Sequence, residues 1–75
     1  MTETEFKKLA PGKTLLKTVI DGKETTVLFK FFLCDPNNFD GYWLLVTTDL
    51  SNPSPSEIVE GDIETYDNLC EVVEF

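Results

Sequence analysis

The chain contains no histidine and no arginine. Without histidine it lacks the commonest general base and a common metal ligand. Without arginine it lacks the bidentate fork that phosphate and base-edge recognition employ. Cysteine occurs twice, and Cys34 and Cys70 both sit in apolar stretches beside an acid, Asp35 and Glu71. Such neighbours raise a thiol pKa, so buried free thiols are expected here, with an oxidised pair as the alternative. The four glycines are scattered at turns and form no phosphate-cradling loop. No apolar run of about eighteen residues and no basic-then-apolar leader occurs, so neither a membrane span nor a secretory signal is read and a cytoplasmic location is expected.

Basic residues are missing from more than half of the chain. All six lysines fall at or before Lys30, where Glu3, Glu5, Asp21 and Glu24 leave a net charge of +2; the remainder carries ten acids and no base, and the total is −8. A segment so acidic repels a phosphate backbone, which excludes direct nucleic-acid binding and favours a basic protein as partner. Seventy-five residues make one domain, 1–75, with a core too small for a pocket of several hundred cubic ångströms. Carboxylates abound, yet nothing sets two of them across a cleft. The expectation is a protein that is not an enzyme and has no catalytic residues, no metal and no cofactor.

What the chain does have is Val27-Leu28-Phe29-Lys30-Phe31-Phe32-Leu33-Cys34, rich in aromatic and β-branched residues and free of Gly and Pro. It reads as the central strand. Strict alternation puts Val27, Phe29, Phe31 and Leu33 on the core face and Leu28, Lys30, Phe32 and Cys34 on a second face that is apolar apart from Lys30. Upstream, Leu15–Ile20 and an Asp21-Gly22 turn predict a tight hairpin in which Leu16 faces Val27, Leu15 faces Leu28 and Val19 faces Glu24. Thr2 and Glu5 have capping-box spacing, and Phe6 and Leu9 share one face of a short helix that can lid the sheet.

The stretch 35–41 has loop composition. Its oxygen donors lack the spacing of a calcium loop, because Phe39 stands where a ligand is needed. A third strand follows over 42–48, with Tyr42 and Trp43 on opposite faces. Ser51–Ser56 is a loop in which Ser54 and Pro55 can open a helical turn ending near Gly61.

Residues 62–74 read in two ways. As strands, Glu60, Asp62 and Glu64 face water, Val59 and Ile63 face in, and Leu69–Phe75 closes the sheet; a tight hairpin would then set Glu64 against Glu71. As a helix, Ile63, Tyr66, Cys70 and Val73 form one stripe, although Thr65, Asp67, Asn68 and the β-branched Val72 and Val73 are poor formers. Strands are preferred. The expected fold is a mainly β, small antiparallel barrel-like or sandwiched sheet of about five strands with a short N-terminal helix.

These features predict a protein-binding module whose acidic face docks on a basic, nucleic-acid-binding or other, protein surface. The candidate contact residues are Glu60, Asp62, Glu64, Asp67, Glu71, Glu74, Phe39 and Trp43. A stoichiometric inhibitor of nucleic-acid-mimic, immunity or phage counter-defence type fits that description. One strand of alternating acids offers a charge every 6.7 Å or so, against about 1.7 Å along duplex DNA, so mimicry requires acids from two neighbouring elements to converge. Two alternatives stand beside it. One is a reader of a lysine-rich or methylated peptide, using Phe39, Tyr42 or Trp43, Tyr66 and Asp40. The other is a structural subunit that self-associates through Leu15, Val19, Leu28 and Phe32. Three aromatics together would favour the reader, and acids together the mimic.

Overall fold

The computed structural model describes residues 1–33, 43–51 and 57–75. Cys34, the loop 35–41 with Phe39 and Asp40, Tyr42, and the Ser54-Pro55 turn lie outside the described residues. A short helix, α1 (Glu3–Lys7), precedes β1 (Leu15–Ile20), β2 (Lys23–Phe32), β3 (Trp43–Thr47), β4 (Asp62–Tyr66) and β5 (Glu71–Glu74). A single 3₁₀ turn, Asp67–Leu69, joins the last two strands. All ladders are antiparallel and form one sheet in the order β4-β3-β2-β1-β5. Of the two readings of the C-terminal quarter, the strand reading holds. The sheet is a single layer, with no ladder between β4 and β5 to close it into a barrel.

The first hairpin follows from its turn. Asp21 and Gly22 both have positive φ, 50° and 77°, the mirror-image turn whose twist matches the flanking strands. The register sets Leu16 opposite Val27, Leu15 opposite Leu28 and Val19 opposite Glu24, as the two-residue turn requires. In α1 the Thr2 hydroxyl accepts from the Glu5 N–H at 3.2 Å, and the Thr2 N–H donates to Glu5 Oε1 at 2.9 Å. That cap orients Phe6, which packs with Leu9 against Leu16, Val27, Phe29, Leu44, Val46 and Cys70 on the inner face of the sheet.

The central strand departs from strict alternation. The ladder with β3 pairs Phe29 with Val46 and then Phe31 with Leu45, leaving Lys30 as the extra residue of a β-bulge. One inserted residue exchanges the two faces beyond it. Phe32 therefore turns inward, within 4.8 Å of the Phe29 ring and 5.2 Å of the Phe6 ring, centroid to centroid. Phe31 and Leu33, expected in the core, are exposed instead. The bulge also removes Phe32 from the apolar second face. With Leu28 buried, Val19 is the well-exposed remnant of the surface expected for self-association.

The connection from β4 to β5 forces curvature. In a flat sheet these two strands would lie four spacings, roughly 19 Å, apart. A 3₁₀ turn of three residues rises about 6 Å, and its flanking residues add about 7 Å at most, so the chain cannot bridge a flat sheet. The sheet must curl until β1 and β4 meet across its inner face. There the Thr18 hydroxyl donates to the Leu69 carbonyl at 3.2 Å and contacts the Thr65 hydroxyl at 3.3 Å, and the Cys70 thiol donates to Thr65 Oγ1 at 3.8 Å. Since Thr18 gives its proton to Leu69, Thr65 is the donor to Thr18, and the three groups form a relay that holds the curl. The tight hairpin setting Glu64 against Glu71 does not form; β5 pairs with β1, where Glu71 faces Lys17.

Replacing Thr18 by Val removes the relay's central group and leaves the buried partners unsatisfied, at a cost of about 1–3 kcal/mol in urea unfolding. Wild-type stability in Thr18→Val would show that the curl is held without it.

Candidate functional site

The outer face over β2, β3 and β4 follows from the registers. Side chains on it fall in rows across the three strands: Leu33, Trp43 and Tyr66; then Phe31, Leu45 and Glu64; then Leu28, Thr47 and Asp62. The Leu33 N–H donates to the Trp43 carbonyl at 3.0 Å, which fixes the first row beyond the end of the β2 ladder. Trp43 and Tyr66 stack edge to face, with ring centroids 5.6 Å apart and planes at 69°. Such a pair is worth about 0.5–1.5 kcal/mol beyond its buried area and holds both rings rigid. Trp43 is nevertheless 46% exposed and Phe31 49%, with Leu33 exposed beside them and Leu45 buried at the centre.

The third row contains an ion pair without solvent contact. Lys30, aimed by the bulge, reaches across β3 so that Nζ donates to Asp62 Oδ2 at 2.6 Å and to the Glu57 carbonyl at 3.0 Å; both side chains are 0% exposed. The Val59 N–H donates to the same Oδ2 at 2.8 Å. The pair thus clamps 57–61 against the sheet just ahead of β4. Asp62 Oδ1 has no hydrogen-bond partner among the described residues, while the Thr47 hydroxyl, opposite Asp62 in the register, favours the ionised carboxylate. Burial opposes ionisation of Asp62, but the Lys30 and Val59 donors outweigh it and hold the carboxyl below the usual carboxylate range.

The acids expected to form one face are therefore divided. Asp62 is neutralised by Lys30, and Asp67, at 3% exposure, is turned away from solvent; these two leave the contact set. Glu60 and Glu64 remain exposed at and before β4, and no ion pair joins Glu64 to any described lysine. Glu71 and Glu74 are exposed on β5, at the opposite edge of the sheet, with Glu71 beside Lys17. The two acidic strands share no ladder and are joined only through the three-residue 3₁₀ turn. Trp43 is on the outer surface, and Phe39 lies outside the described residues.

Phe31 and Leu33 reach the surface through the bulge, which strict alternation along β2 does not anticipate. The available signal was Lys30, a lone cation within an apolar strand. Among the described residues, no group of three His, Cys, Asp or Glu side chains is placed to hold a metal, and no helix is long and apolar enough to cross a membrane. Burial pushes the Cys70 thiol up, against weaker help from Thr65 and Thr18, which makes it a poor nucleophile. Two shallow surface depressions, one between α1 and β5 and one beside Lys17 and Leu69, both lie off the aromatic rows. No family model matches the chain, and neither does any curated protein or solved structure.

Because the folded Asp62 carboxyl is more acidic than its unfolded counterpart, its stabilisation is present above the unfolded value of about 3.9 and is lost as pH falls through the lower, folded value. Asp62→Asn leaves Lys30 buried and unpaired, and is expected to cost about 3 kcal/mol at neutral pH. Its unfolding free energy should also fall less steeply than that of the wild type below pH 4. Parallel pH profiles for the two proteins would contradict this account of the pair.

Proposed function

We propose that the protein is a non-enzymatic binding module that docks on a basic protein surface through the outer face of β2, β3 and β4. The observation that carries this reading is the exposed edge-to-face pair of Trp43 and Tyr66, with Phe31 in the next row and Glu64 beside them without a counter-ion. Rigid, half-exposed aromatics next to an uncompensated carboxylate give apolar contact area and attraction for a cation in one place. Glu60 adds to the field, and the net charge of −8 steers a basic partner toward the molecule. This combines the acidic-face and aromatic-reader alternatives, and places the contact set at Phe31, Leu33, Trp43, Tyr66, Glu60 and Glu64. A buried, free Cys70 thiol fits a reducing compartment such as the cytoplasm. An inhibitor acting on a nucleic-acid-binding protein remains within this class, working by occlusion of a basic surface rather than by imitation of a duplex.

The test compares baits. Wild-type protein, Trp43→Ala and Glu64→Gln, each shown to be folded, are used to capture proteins from a lysate at low and moderate salt. Specific basic partners should be weakened about 30-fold by Trp43→Ala, as for a central aromatic anchor of about 2 kcal/mol. Glu64→Gln should weaken them several-fold and chiefly at low salt. Equal recovery on all three baits would overturn the proposal.

A further inference from the structure

We infer that the free edge of β4 is a docking site for an extended, lysine- or arginine-bearing segment of the partner, which adds a sixth strand and lays cationic side chains beside Glu64, Tyr66 and Trp43. The inference rests on the reading of the outer face as the contact surface, and supplies the conformation and chemistry of what binds there.

The sheet has two edges, and they differ. Just ahead of β5 the Met1 amine donates to the Cys70 carbonyl at 3.2 Å, and Met1, Thr2 and Glu5 line a surface depression together with Glu71 and Val72. The order of the sheet ends at β4, which pairs with β3 alone. Within Ile63–Tyr66, the backbone bond to a described residue beyond the β3 ladder is at the very end, where the Tyr66 carbonyl accepts from the Cys70 thiol at 3.7 Å; the Glu64 N–H and carbonyl have no backbone partner among the described residues. Exposed edges are ordinarily blunted by proline, lysine, bulges or very short strands. Five-residue β4 has an unbroken register with β3 and carries neither Pro nor Lys. Its one free charge is Glu64, since Asp62 is matched by Lys30.

That single charge selects the occupant. Glu64 is the central residue of Asp62–Tyr66, so two copies meeting antiparallel about the middle of β4 would set Glu64 against Glu64, a repulsive cross-strand pair. A strand with lysine or arginine at the facing position forms the attractive pair instead. Two residues along, on the same face, the next side chain of the added strand reaches Tyr66, and the Trp43 ring stands behind it. Main-chain bonds would give affinity along the edge, and alternate side chains would give the preference for a basic sequence.

The experiment uses the ¹⁵N-labelled protein and three short, end-capped peptides: alternating lysine and threonine, alternating glutamate and threonine, and the lysine peptide N-methylated at alternate positions. Methylation keeps the charges but blocks edge pairing. The inference expects the lysine peptide to slow exchange of the β4 amides that face away from β3 and to shift the Trp43 indole resonance, with little effect from the other two. Glu64→Lys should weaken the lysine peptide by about two- to fivefold and improve the glutamate peptide. If both lysine peptides shift Trp43 equally and β4 stays unprotected, the added strand is overturned while the outer face stands as a cation-binding surface. If neither lysine peptide perturbs Trp43 or β4, the inference and the reading beneath it both fail.

Discussion

Lys30 and Asp62 determine how the rest of this small domain can be arranged. A cation in the middle of an apolar strand cannot stay buried without a partner, because the desolvation cost of a lone ammonium is several kcal/mol. The chain meets that constraint by bulging β2 at Lys30 and sending the side chain over β3 to β4. The bulge then settles the faces on either side of it. Phe29 and Phe32 share the inner face with Phe6, while Phe31 and Leu33 are displaced to the outer one. The same pair consumes the first acid of β4 and clamps the chain that leads into that strand.

Curvature is the second constraint, and it arises independently. A three-residue 3₁₀ turn between strands at opposite edges is too short for a flat sheet, so the concave side closes on α1 and the threonine relay, and the convex side presents the aromatic rows. Core and contact surface are thus two sides of the same β2–β3 ladder. Its inner residues, Phe29, Phe32, Leu44 and Val46, are packed, whereas the outer ones range from buried Leu45 to half-exposed Phe31 and Trp43.

Much of the fold was legible from local rules. Asp21-Gly22 determined the first hairpin and its register, Thr2 and Glu5 capped the helix, and the poor helix formers after Ile63 favoured strands. Each of these signals lies within a few residues of its effect. The bulge was not legible, because alternation around Lys30 has two solutions and the choice depends on Asp62, thirty-two positions away. The division of the acids was hidden for the same reason: a sequence shows where carboxylates are but not which of them meets a cation. Trp43, Tyr66 and Glu64 were legible as contact candidates through residue type alone, whereas Phe31 required the bulge and the pairing of Trp43 with Tyr66 required the β3–β4 register.

One ammonium group, that of Lys30, is shut away from water. Side-chain NMR of ¹⁵N-lysine-labelled protein at neutral pH tests this most directly, since exposed ammonium protons exchange too fast to be seen. Of the six lysines, Lys30 alone should give a protected NH₃⁺ signal, and that signal should vanish in Asp62→Asn. Six equally exchange-broadened lysines would mean that the pair is open to solvent, and that neither the bulge nor the division of the outer face has the cause assigned to it.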